Sequence, residues 1–270
     1  MAEKKRLFLL DMDGTIYIDG QLFPQAIPFL ERVRRGGGGY LFLTNNSSRS
    51  VDAYVERLAG MGIQARPEDF LTSTDALIAH LRRLRAFQEQ TFRCCYVMGT
   101  RSFFEQLRAA GVPVTDRLTP ETDCLLAGFD RELTFQKIED ACILLGRGAA
   151  FFATNPDWAC PTGYGYVPDC GSICEMLWRA TGRRPDTVVG KPSPDMVYLA
   201  MERFGAKRAE TVVIGDRLYT DIAAGANAGV DTALVLTGEA RREDLPDSQW
   251  QPTWVLETIG DFFTRQEAAG

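Results

Sequence analysis

The sequence predicts the α/β fold class: an open, doubly wound parallel sheet into which a smaller α/β unit is inserted. Runs of large apolar residues without polar alternation, such as Leu7–Leu10 and residues 40–43, indicate strands that are buried on both faces. Segments with helical spacing of apolar residues alternate with these runs, which is typical of a parallel sheet. The residue composition and pattern change between residues 81 and 182 and then return to those of the first segment, which indicates the insertion.

The first predicted strand ends at a pair of carboxylates. Leu7–Leu10 runs directly into Asp11-Met12-Asp13-Gly14-Thr15, where the glycine permits a sharp turn. Open α/β sheets bind ligands outside the carboxyl ends of their strands, so these acids lie where chemistry is expected. An Asp-Gly turn with two solvated acids is the alternative for this segment taken alone.

The second predicted strand ends in hydroxyl and amide side chains. Residues 40–43 lead into Thr44-Asn45-Asn46-Ser47-Ser48, and an amphipathic helix follows over residues 51–58. Such side chains, together with free backbone N–H groups, can bind an anion between a strand end and a helix start. Ordinary N-capping of the helix by Ser47 or Ser48 is the alternative.

Residues 81–182 read as a self-contained α/β unit. Its predicted strands are 92–97, 124–129 and 150–153, and its predicted helices are 102–110, 134–145 and 172–181. We therefore expect a core domain of residues 1–80 and 183–270 and an inserted domain of residues 81–182. A polar, aromatic and glycine-rich loop over residues 154–166 fits a lid lining and a simple connection equally well.

The strands after the insert end in a lysine and two further acids. After the insert, Thr187-Val188-Val189 leads to Gly190-Lys191-Pro192. This is not the motif of a phosphate-loop NTPase, because Pro192 stands where that motif requires Ser or Thr. A lysine there is ordinarily solvated, which is the alternative for Lys191. Residues 211–214 lead to Asp216, with Asp221 about one helical turn later. Two more strands are predicted at 232–236 and 253–256.

Composition narrows the classes of function. The 270-residue chain has a formal net charge of −6 with acidic and basic residues interleaved, and nothing in it resembles the basic footprint of a nucleic-acid-binding protein, so no nucleic-acid partner is expected. No apolar run reaches about 18 residues and the chain starts almost directly on a core strand, so we expect no membrane span and a cytoplasmic protein. The seven cysteines include no Cys-x-x-Cys pair, which disfavours disulfides and zinc. Because His80 is the only histidine, Ser-His-Asp or Cys-His catalysis is also disfavoured.

The strand ends supply one set of polar and charged groups to a single sheet edge: Asp11, Asp13, Thr44, Lys191, Asp216 and Asp221. Carboxylates gathered in one cleft repel one another unless a divalent cation holds them, and ligation by oxygen alone suits Mg²⁺. Phosphoryl transfer needs the same parts, because a carboxylate attacks phosphorus while a cation and a lysine balance the phosphate charge. A second acid can protonate the leaving alkoxide and then activate water.

Four segments, in this order, resemble the motifs of the haloacid dehalogenase superfamily: Asp11-x-Asp13-Gly-Thr, Thr44-Asn-Asn, Gly-Lys191-Pro and Gly-Asp216-Arg-x-x-Thr-Asp221. The insert between the second and third segments is similar to the C2 cap of subclass IIA, the NagD/4-nitrophenylphosphatase subfamily. The resemblance covers nearly the whole chain and implies a Rossmann-like core with a C2-type cap that sets substrate specificity. It also implies Mg²⁺-dependent hydrolysis of small phosphomonoesters such as nucleoside monophosphates, sugar phosphates or 4-nitrophenyl phosphate.

The resemblance also implies roles for the motif residues. Asp11 would be the nucleophile that forms an aspartyl-phosphate, and Asp13 would be the general acid and base. Asp11, the backbone carbonyl of Asp13 and Asp216 would ligate Mg²⁺, while Asp221 would orient a metal-bound water or Lys191. The groups that would hold or neutralise the phosphoryl oxygens are Thr44, Asn45, Asn46 and Lys191.

Asp13 also helps to choose among reactions. Dehalogenases that resemble this pattern lack an acid at this position, because a halide needs no proton. Phosphomutases carry the acid, but their helical cap follows the first motif, and too few residues separate Asp13 from Tyr40 for such a cap. A phosphotransferase or mutase and a non-catalytic protein that binds a phosphorylated metabolite are the alternatives to a phosphatase.

Four side chains of the insert are candidates for contacts with the leaving group: Asn155, Asp157, Tyr164 and Tyr166. Packing is the alternative role for each of them. The segment Pro168-Asp169-Cys170-Gly171 departs from the Pro-Gly-x-Gly of relatives, so the resemblance does not fix the substrate. The expected partner is a small phosphorylated metabolite, and a homodimer formed through the cap is a further possibility.

Overall fold

The structure, a computed structural model, describes residues 4–87, 90–162 and 164–268. The strands are β1 (Leu7–Leu10), β2 (Tyr17–Ile18), β3 (Gln21–Leu22), β4 (Gly39–Thr44), β5 (Phe70–Thr72), β6 (Cys95–Met98), β7 (Val114–Thr115), β8 (Cys124–Ala127), β9 (Ala150–Ala153), β10 (Ala159–Thr162), β11 (Gly165–Pro168), β12 (Thr187–Val188), β13 (Thr211–Gly215), β14 (Asp231–Val235) and β15 (Trp254–Leu256). The helices are α1 (Ala26–Arg35), α2 (Val51–Gly60), α3 (Ser73–Ala86), α4 (Arg101–Ala109), α5 (Phe135–Gly146), α6 (Cys170–Thr181), α7 (Asp195–Phe204), α8 (Ala223–Ala228) and α9 (Asp261–Ala268).

The chain divides into two compact units. The first unit comprises residues 1–44, 55–71 and 191–270, and the second comprises residues 45–54 and 72–190. None of the helices in the described part of the chain is long and apolar enough to cross a membrane.

The first unit is built on a six-stranded sheet of order β15-β14-β13-β1-β4-β5. Its central strand, β1, pairs in parallel with β13 on one side and β4 on the other, with Leu7 opposite both Thr211 and Gly39. The four β1 side chains are buried, as the uninterrupted apolar run predicts for a strand covered on both faces. Phe29 of α1 and Phe262 of α9 meet the Phe8 ring edge-on at 5.7 and 5.5 Å.

The second unit has its own five-stranded sheet, of order β12-β9-β8-β6-β7, in which all four pairs of neighbouring strands are parallel. Tyr96, Leu125 and Phe151 pack on one face against the apolar sides of α5 and α6. On the other face, Phe152 packs against His80 of α3 at a ring distance of 5.4 Å. Helices therefore cover both faces, and the doubly wound α/β architecture predicted from the sequence is confirmed.

Several short elements differ from the sequence expectations. Thr187–Val188 was expected to belong to the core sheet, but it pairs with β9 in the second sheet. Helix α3 packs against α4 and falls in the second unit, so the units separate after residues 71 and 190, where 80 and 182 were expected. The loop that follows β9 contains the antiparallel hairpin β10–β11. A two-residue strand carries too little pattern to show which sheet it joins, and the hairpin strands, Ala-Cys-Pro-Thr and Gly-Tyr-Val-Pro, contain no apolar run.

Candidate active site

The first unit places a lysine between two acids at the carboxyl ends of its central strands. Asp11 directly follows β1, and its backbone N–H donates to the Ile214 carbonyl of β13 at 2.9 Å. The Lys191 ammonium lies 2.5 Å from Asp11 Oδ1 and 2.6 Å from Asp221 Oδ1. Lys191 is only 3% exposed, so the sequence alternative of a solvated lysine is wrong.

Asp221 lies on a π-helical turn, Leu218–Ile222, that follows β13. Its Oδ2 accepts a hydrogen bond from the Arg217 backbone N–H at 3.2 Å, so the turn itself orients the carboxylate toward the lysine. Rare π-helical turns often occur at functional sites.

Asp216 completes a cluster of three carboxylates with Asp11 and Asp221. One oxygen from each acid lies within 4.8 Å of the others. The Glu239 backbone N–H donates to Asp216 Oδ2 at 2.8 Å, whereas the buried Asp216 Oδ1 has no hydrogen-bond partner among the described residues. A buried carboxylate oxygen without a partner is costly and calls for a ligand.

Two glycines leave the space that Asp216 occupies. A Cβ on Gly14 would lie 2.4 Å from Asp216 Oδ2, and Gly14 also has a φ of +85°. A Cβ on Gly238 would lie 2.0 Å from the same oxygen. The carboxylate is therefore held between two backbone segments, which the Thr237 hydroxyl links by donating to the Gly14 carbonyl at 2.6 Å.

The electrostatics of the cluster are those of a cation site. Burial, opposed by Lys191 and reinforced by Asp221 and Asp216, raises the pKa of Asp11 well above its usual value. Burial and the Asp221 charge raise the pKa of Asp216 to about 6. Burial alone would lower the pKa of Lys191, but the charges of Asp11 and Asp221 raise it. The lysine therefore stays charged, and the raised pKa values of Asp11 and Asp216 mean that their ionised forms are disfavoured, a cost that a divalent cation would relieve.

The residues present fit Mg²⁺. The donor set consists of oxygen atoms only, it includes an orphaned buried oxygen on Asp216, and it offers few protein ligands, as Mg²⁺ prefers. Among the described residues, Asp11, Asp216 and Asp221 form the one such group of three potential metal ligands.

Asp13 lies in a different environment from the other acids. Its carboxylate is 57% exposed, lies 3.7 Å from Arg57 and accepts a hydrogen bond from the Tyr17 hydroxyl at 3.3 Å. The Arg57 guanidinium lies over the Tyr17 ring at 4.5 Å. A carboxylate with this access to water can exchange protons, as a general acid and base requires.

The structure separates the phosphate-binding candidates into two groups. Thr44, the last residue of β4, belongs to the first unit, whereas Asn45 and Asn46 belong to the second. Asn45 Nδ2 donates to Asp157 Oδ2 at 3.0 Å. Asn46 Oδ1 accepts from the backbone N–H and the hydroxyl of Ser48, at 2.9 and 2.7 Å.

The four leaving-group candidates also fall into two groups. Asn155 and Asp157 both hydrogen-bond Asn45. Tyr164 and Tyr166 lie on the β10–β11 hairpin and are 74% and 81% exposed. The Tyr164 hydroxyl accepts a hydrogen bond from Arg131 at 2.7 Å.

Sequence reasoning missed several residues of the site. Gly238 and Glu239, which hold Asp216, follow β14 directly after Leu236 and Thr237. Because β14 is the neighbour of β13 in the sheet, the same strand-end argument could have located them. Tyr17 and Arg57 gave no comparable signal, since neither residue stands at the end of a predicted core strand.

Comparison with known proteins agrees with this geometry. Residues 8–113 match the family of haloacid dehalogenase-like hydrolases, and residues 188–262 match a second HAD-hydrolase-like family. The chain is 32% identical to 5'-nucleotidase YutF of Bacillus subtilis and 33% identical to ribonucleotide monophosphatase NagD of Escherichia coli, covering 94% of this chain and 96% of each relative. It superposes on the 4-nitrophenylphosphatase of Thermotoga maritima with a TM-score of 0.89 and 37% identity, covering 96% of this chain and 97% of that one. The chain therefore belongs to the haloacid dehalogenase superfamily of hydrolases, in the NagD-like subclass IIA that its four motifs indicated.

Proposed function

We propose that this chain hydrolyses small phosphomonoesters, with Mg²⁺ as cofactor and Asp11 as nucleophile. The observation that carries the proposal is the placement of Lys191 between Asp11 and Asp221, beside an Asp216 oxygen that lacks a partner. The names of the relatives, a nucleotidase, a ribonucleotide monophosphatase and a 4-nitrophenylphosphatase, support the same class of substrate.

In the first step, an Asp11 oxygen attacks phosphorus and the bond from phosphorus to the leaving oxygen breaks. The product is an aspartyl-phosphate and the free alcohol. Lys191 favours the ionised form of Asp11 and balances the charge that gathers on the transferred group. Thr44, Asn45 and Asn46 hold the phosphoryl oxygens through hydroxyl, amide and backbone donors.

Asp13 moves the protons. It donates a proton to the leaving alkoxide in the first step and takes one from the water that attacks the aspartyl-phosphate in the second. Phosphate and regenerated Asp11 result. The half-exposed position of Asp13, beside Tyr17 and Arg57, supports this role.

Asp11, Asp216 and the backbone carbonyl of Asp13 would hold the Mg²⁺ ion, while Asp221 orients Lys191. When bound, the ion supplies positive charge that stabilises the transferring phosphoryl group. Because uncatalysed hydrolysis of phosphate monoesters is so slow that accelerations up to about 10²¹-fold are known, several charged groups acting on one phosphate are expected.

The inserted unit, rather than the core motifs, would select the leaving group. Tyr164 and Tyr166 present exposed rings on the β10–β11 hairpin that can pack against the organic part of a substrate. The named relatives span nucleotides and 4-nitrophenyl phosphate, so the proposal extends to small phosphomonoesters as a class.

The test is phosphate release from 4-nitrophenyl phosphate, measured with Mg²⁺ and with EDTA. We expect release by the wild type with Mg²⁺, and a loss of at least about 10⁴-fold in Asp11→Asn, because an amide cannot form the acyl-phosphate. Asp261→Asn is the control, since that carboxylate accepts the Thr258 backbone N–H at the start of α9. Absence of release from this substrate and from a panel of nucleotides and sugar phosphates would contradict the proposal.

A further inference from the structure

We propose that Asn155 and Asp157 are positioning residues for Asn45 and do not contact the leaving group. The inference rests on the proposed function, because it gives Asn45 the task of holding the phosphoryl oxygens. The sequence left contact with the leaving group and packing open for Asn155 and Asp157. The hydrogen bonds that support a positioning role lie within the second unit.

The backbone carbonyl of Asn45 is held by two buried donors. Asn155 Nδ2 donates to it at 2.7 Å, and the Ser73 hydroxyl donates to it at 2.7 Å. Asn155 is 1% exposed and Ser73 is fully buried, so neither group is available to an exposed ligand. Because a carbonyl oxygen has two lone pairs, these two bonds saturate it and fix the peptide that joins Asn45 to Asn46.

The side chain of Asn45 is oriented by Asp157. Its Nδ2 donates to Asp157 Oδ2 at 3.0 Å. An ionised carboxylate only accepts hydrogen bonds, so the amide must turn its nitrogen, not its oxygen, toward Asp157. A hydrogen bond to a charged acceptor is also stronger than one between neutral groups. Asp157 therefore fixes the orientation of the Asn45 amide, with Nδ2 directed toward the Asp157 carboxylate.

The loop that carries Asn155 and Asp157 is itself rigidly placed. The Asp157 backbone N–H donates to Asn155 Oδ1 at 3.2 Å, and the Asp157 carbonyl accepts from the Gly171 N–H at 2.8 Å. A Cβ on Gly190 would lie 2.3 Å from the Thr154 carbonyl and 2.7 Å from Asn45 Oδ1. Only a glycine fits there, so the loop and Asn45 form one packed group.

The same loop is bound to the residues that follow Asn45. The hydroxyls of Ser47 and Thr154 lie 3.1 Å apart, and Ser47 Oγ accepts the Phe129 backbone N–H at 2.9 Å. Ser47 and Thr154 are both fully buried. Thr154, Asn155 and Asp157 thus support the backbone and side chains of Asn45 and Ser47.

Positioning and leaving-group contact predict different kinetics. If Asp157 orients Asn45, its removal weakens the hold on the phosphoryl group, which every substrate shares. The fold-loss in kcat/KM is then the same for all leaving groups, and the affinity for inorganic phosphate falls with it. If Asp157 touches the leaving group, the loss varies with the substrate and phosphate affinity is unchanged.

The experiment compares Asp157→Ala, Asn155→Ala and Asp157→Asn with wild type, using 4-nitrophenyl phosphate, a nucleoside monophosphate and a glycerol phosphate. Binding of inorganic phosphate is measured by calorimetry with Mg²⁺ present, and inhibition by orthovanadate is measured alongside. We expect both alanine variants to lose about 10–100-fold in kcat/KM on every substrate, less than the cost of deleting an oxyanion donor. Phosphate and vanadate affinity should fall in parallel.

Asp157→Asn supplies the rescue, because its amide oxygen can still accept from Asn45 and should recover most of the loss. Asp186→Ala is the matched control: that carboxylate accepts the Phe151 backbone N–H at 2.8 Å in the same unit. It should lower the melting temperature without changing phosphate affinity. In an Asn45→Ala background, adding Asp157→Ala should cost less than about twofold more, since the two residues act as one.

A loss that differs more than about fivefold between substrates, with phosphate affinity unchanged, would overturn the inference in favour of leaving-group contact. So would an equal loss of phosphate affinity in Asp186→Ala, or full additivity with Asn45→Ala. If the wild type hydrolyses none of the substrates, the proposed function fails instead. The calorimetric comparison of wild type, Asp157→Ala and Asp157→Asn then still decides the inference, because unchanged phosphate affinity overturns it.

Discussion

The two sheets of this protein share an architecture but differ in what stands at the ends of their strands. In the first sheet, β1 and β13 end at Asp11 and Asp216, and one buried oxygen of Asp216 has no partner among the described residues. In the second sheet, β6 and β9 are followed by neutral groups that are bonded within the unit. Thr100 donates to the Ser48 carbonyl at 3.1 Å, and Asn155 donates to the Asn45 carbonyl at 2.7 Å.

This difference shows how one fold can serve two purposes. A parallel sheet collects loop residues at one edge whatever their chemistry. Where those residues satisfy one another, as in the second unit, they fix loop geometry. Where several acids gather around one lysine, as around Lys191, their charges are only partly compensated. Binding of a cation then lowers the free energy of the folded protein. Which sheet edge can bind a ligand is therefore indicated by whether its polar groups are already hydrogen-bonded to one another, and not by the topology of the sheet.

The largest effect should come from removing the Lys191 ammonium, which lies between two acids of the first unit. Lys191→Met leaves Asp11 and Asp221 facing each other without their ammonium. Breaking such a buried pair costs about 3–5 kcal/mol of unfolding free energy. Because Mg²⁺ can replace part of the lost charge, added Mg²⁺ should restore part of this stability. Chemical unfolding with EDTA and with Mg²⁺ measures both quantities.

The second unit offers the matched variant. Lys137 lies 2.8 Å from the fully buried carboxylate of Asp130. Lys137→Met should also destabilise the protein, but Mg²⁺ should give no more stabilisation than it gives the wild type, because among the described residues no two further acids group with Asp130 as potential metal ligands. Equal recovery by Mg²⁺ in the two variants would contradict the distinction between the sheets.

The sequence predicts the first unit better than the second for a physical reason. Buried parallel strands such as Leu7–Leu10 are continuous apolar runs, and a polar residue at their end stands out. The segment Thr187-Val188-Val189 also predicts a strand, but local pattern does not specify which of two sheets a strand joins, and its pairing with β9 was not anticipated. β5 has only three residues, and the strands of the β10–β11 hairpin, Ala-Cys-Pro-Thr and Gly-Tyr-Val-Pro, contain no apolar run.

The candidate site shows the same limit at the level of side chains. Asp11, Lys191, Asp216 and Asp221 were predicted to converge, and they do so in the first unit. For Asn155 the sequence left leaving-group contact and packing open, and in the structure its amide is buried and donates to a backbone carbonyl. Residue type and position indicate which groups are near a strand end. They do not indicate whether another part of the protein has already used their hydrogen bonds.

A smaller effect is expected in the pH dependence of folding stability with and without Mg²⁺. The pKa of Asp216 is raised to about 6 from an ordinary 3.8, so in the metal-free protein the native state holds a proton that the unfolded chain releases between these values. Stability of the metal-free protein therefore falls as pH rises from about 4 to 6, by up to about 3 kcal/mol for this group. The proposed Mg²⁺ ion would bind the ionised cluster, so its stabilising effect should be larger at pH 7.5 than at pH 5.

Melting temperatures with EDTA and with Mg²⁺ at the two pH values measure this effect. Asp216→Asn should abolish most of the difference between them. Asp140→Asn is the control from the second unit, where that carboxylate accepts from the Tyr96 hydroxyl at 2.9 Å. It should lower stability but keep the pH dependence of the Mg²⁺ effect. A Mg²⁺ effect of equal size at both pH values would contradict the assignment.

The smallest effect is expected at Asp13, the acid that lies outside the cluster of three carboxylates. Tyr17→Phe removes the hydroxyl that donates to Asp13 at 3.3 Å but keeps the ring beneath Arg57. Loss of one such bond to a half-exposed carboxylate is worth about 0.5–1 kcal/mol, or a fall of about two- to fivefold in kcat. The fall should be larger for an alkyl phosphate than for 4-nitrophenyl phosphate, because 4-nitrophenolate leaves without needing a proton.

Tyr96→Phe, which breaks a comparable bond in the second unit, should lower the melting temperature and leave the ratio of the two kcat values unchanged. Equal losses on both substrates in Tyr17→Phe would show that Tyr17 supports the fold around Asp13 and not its proton transfer.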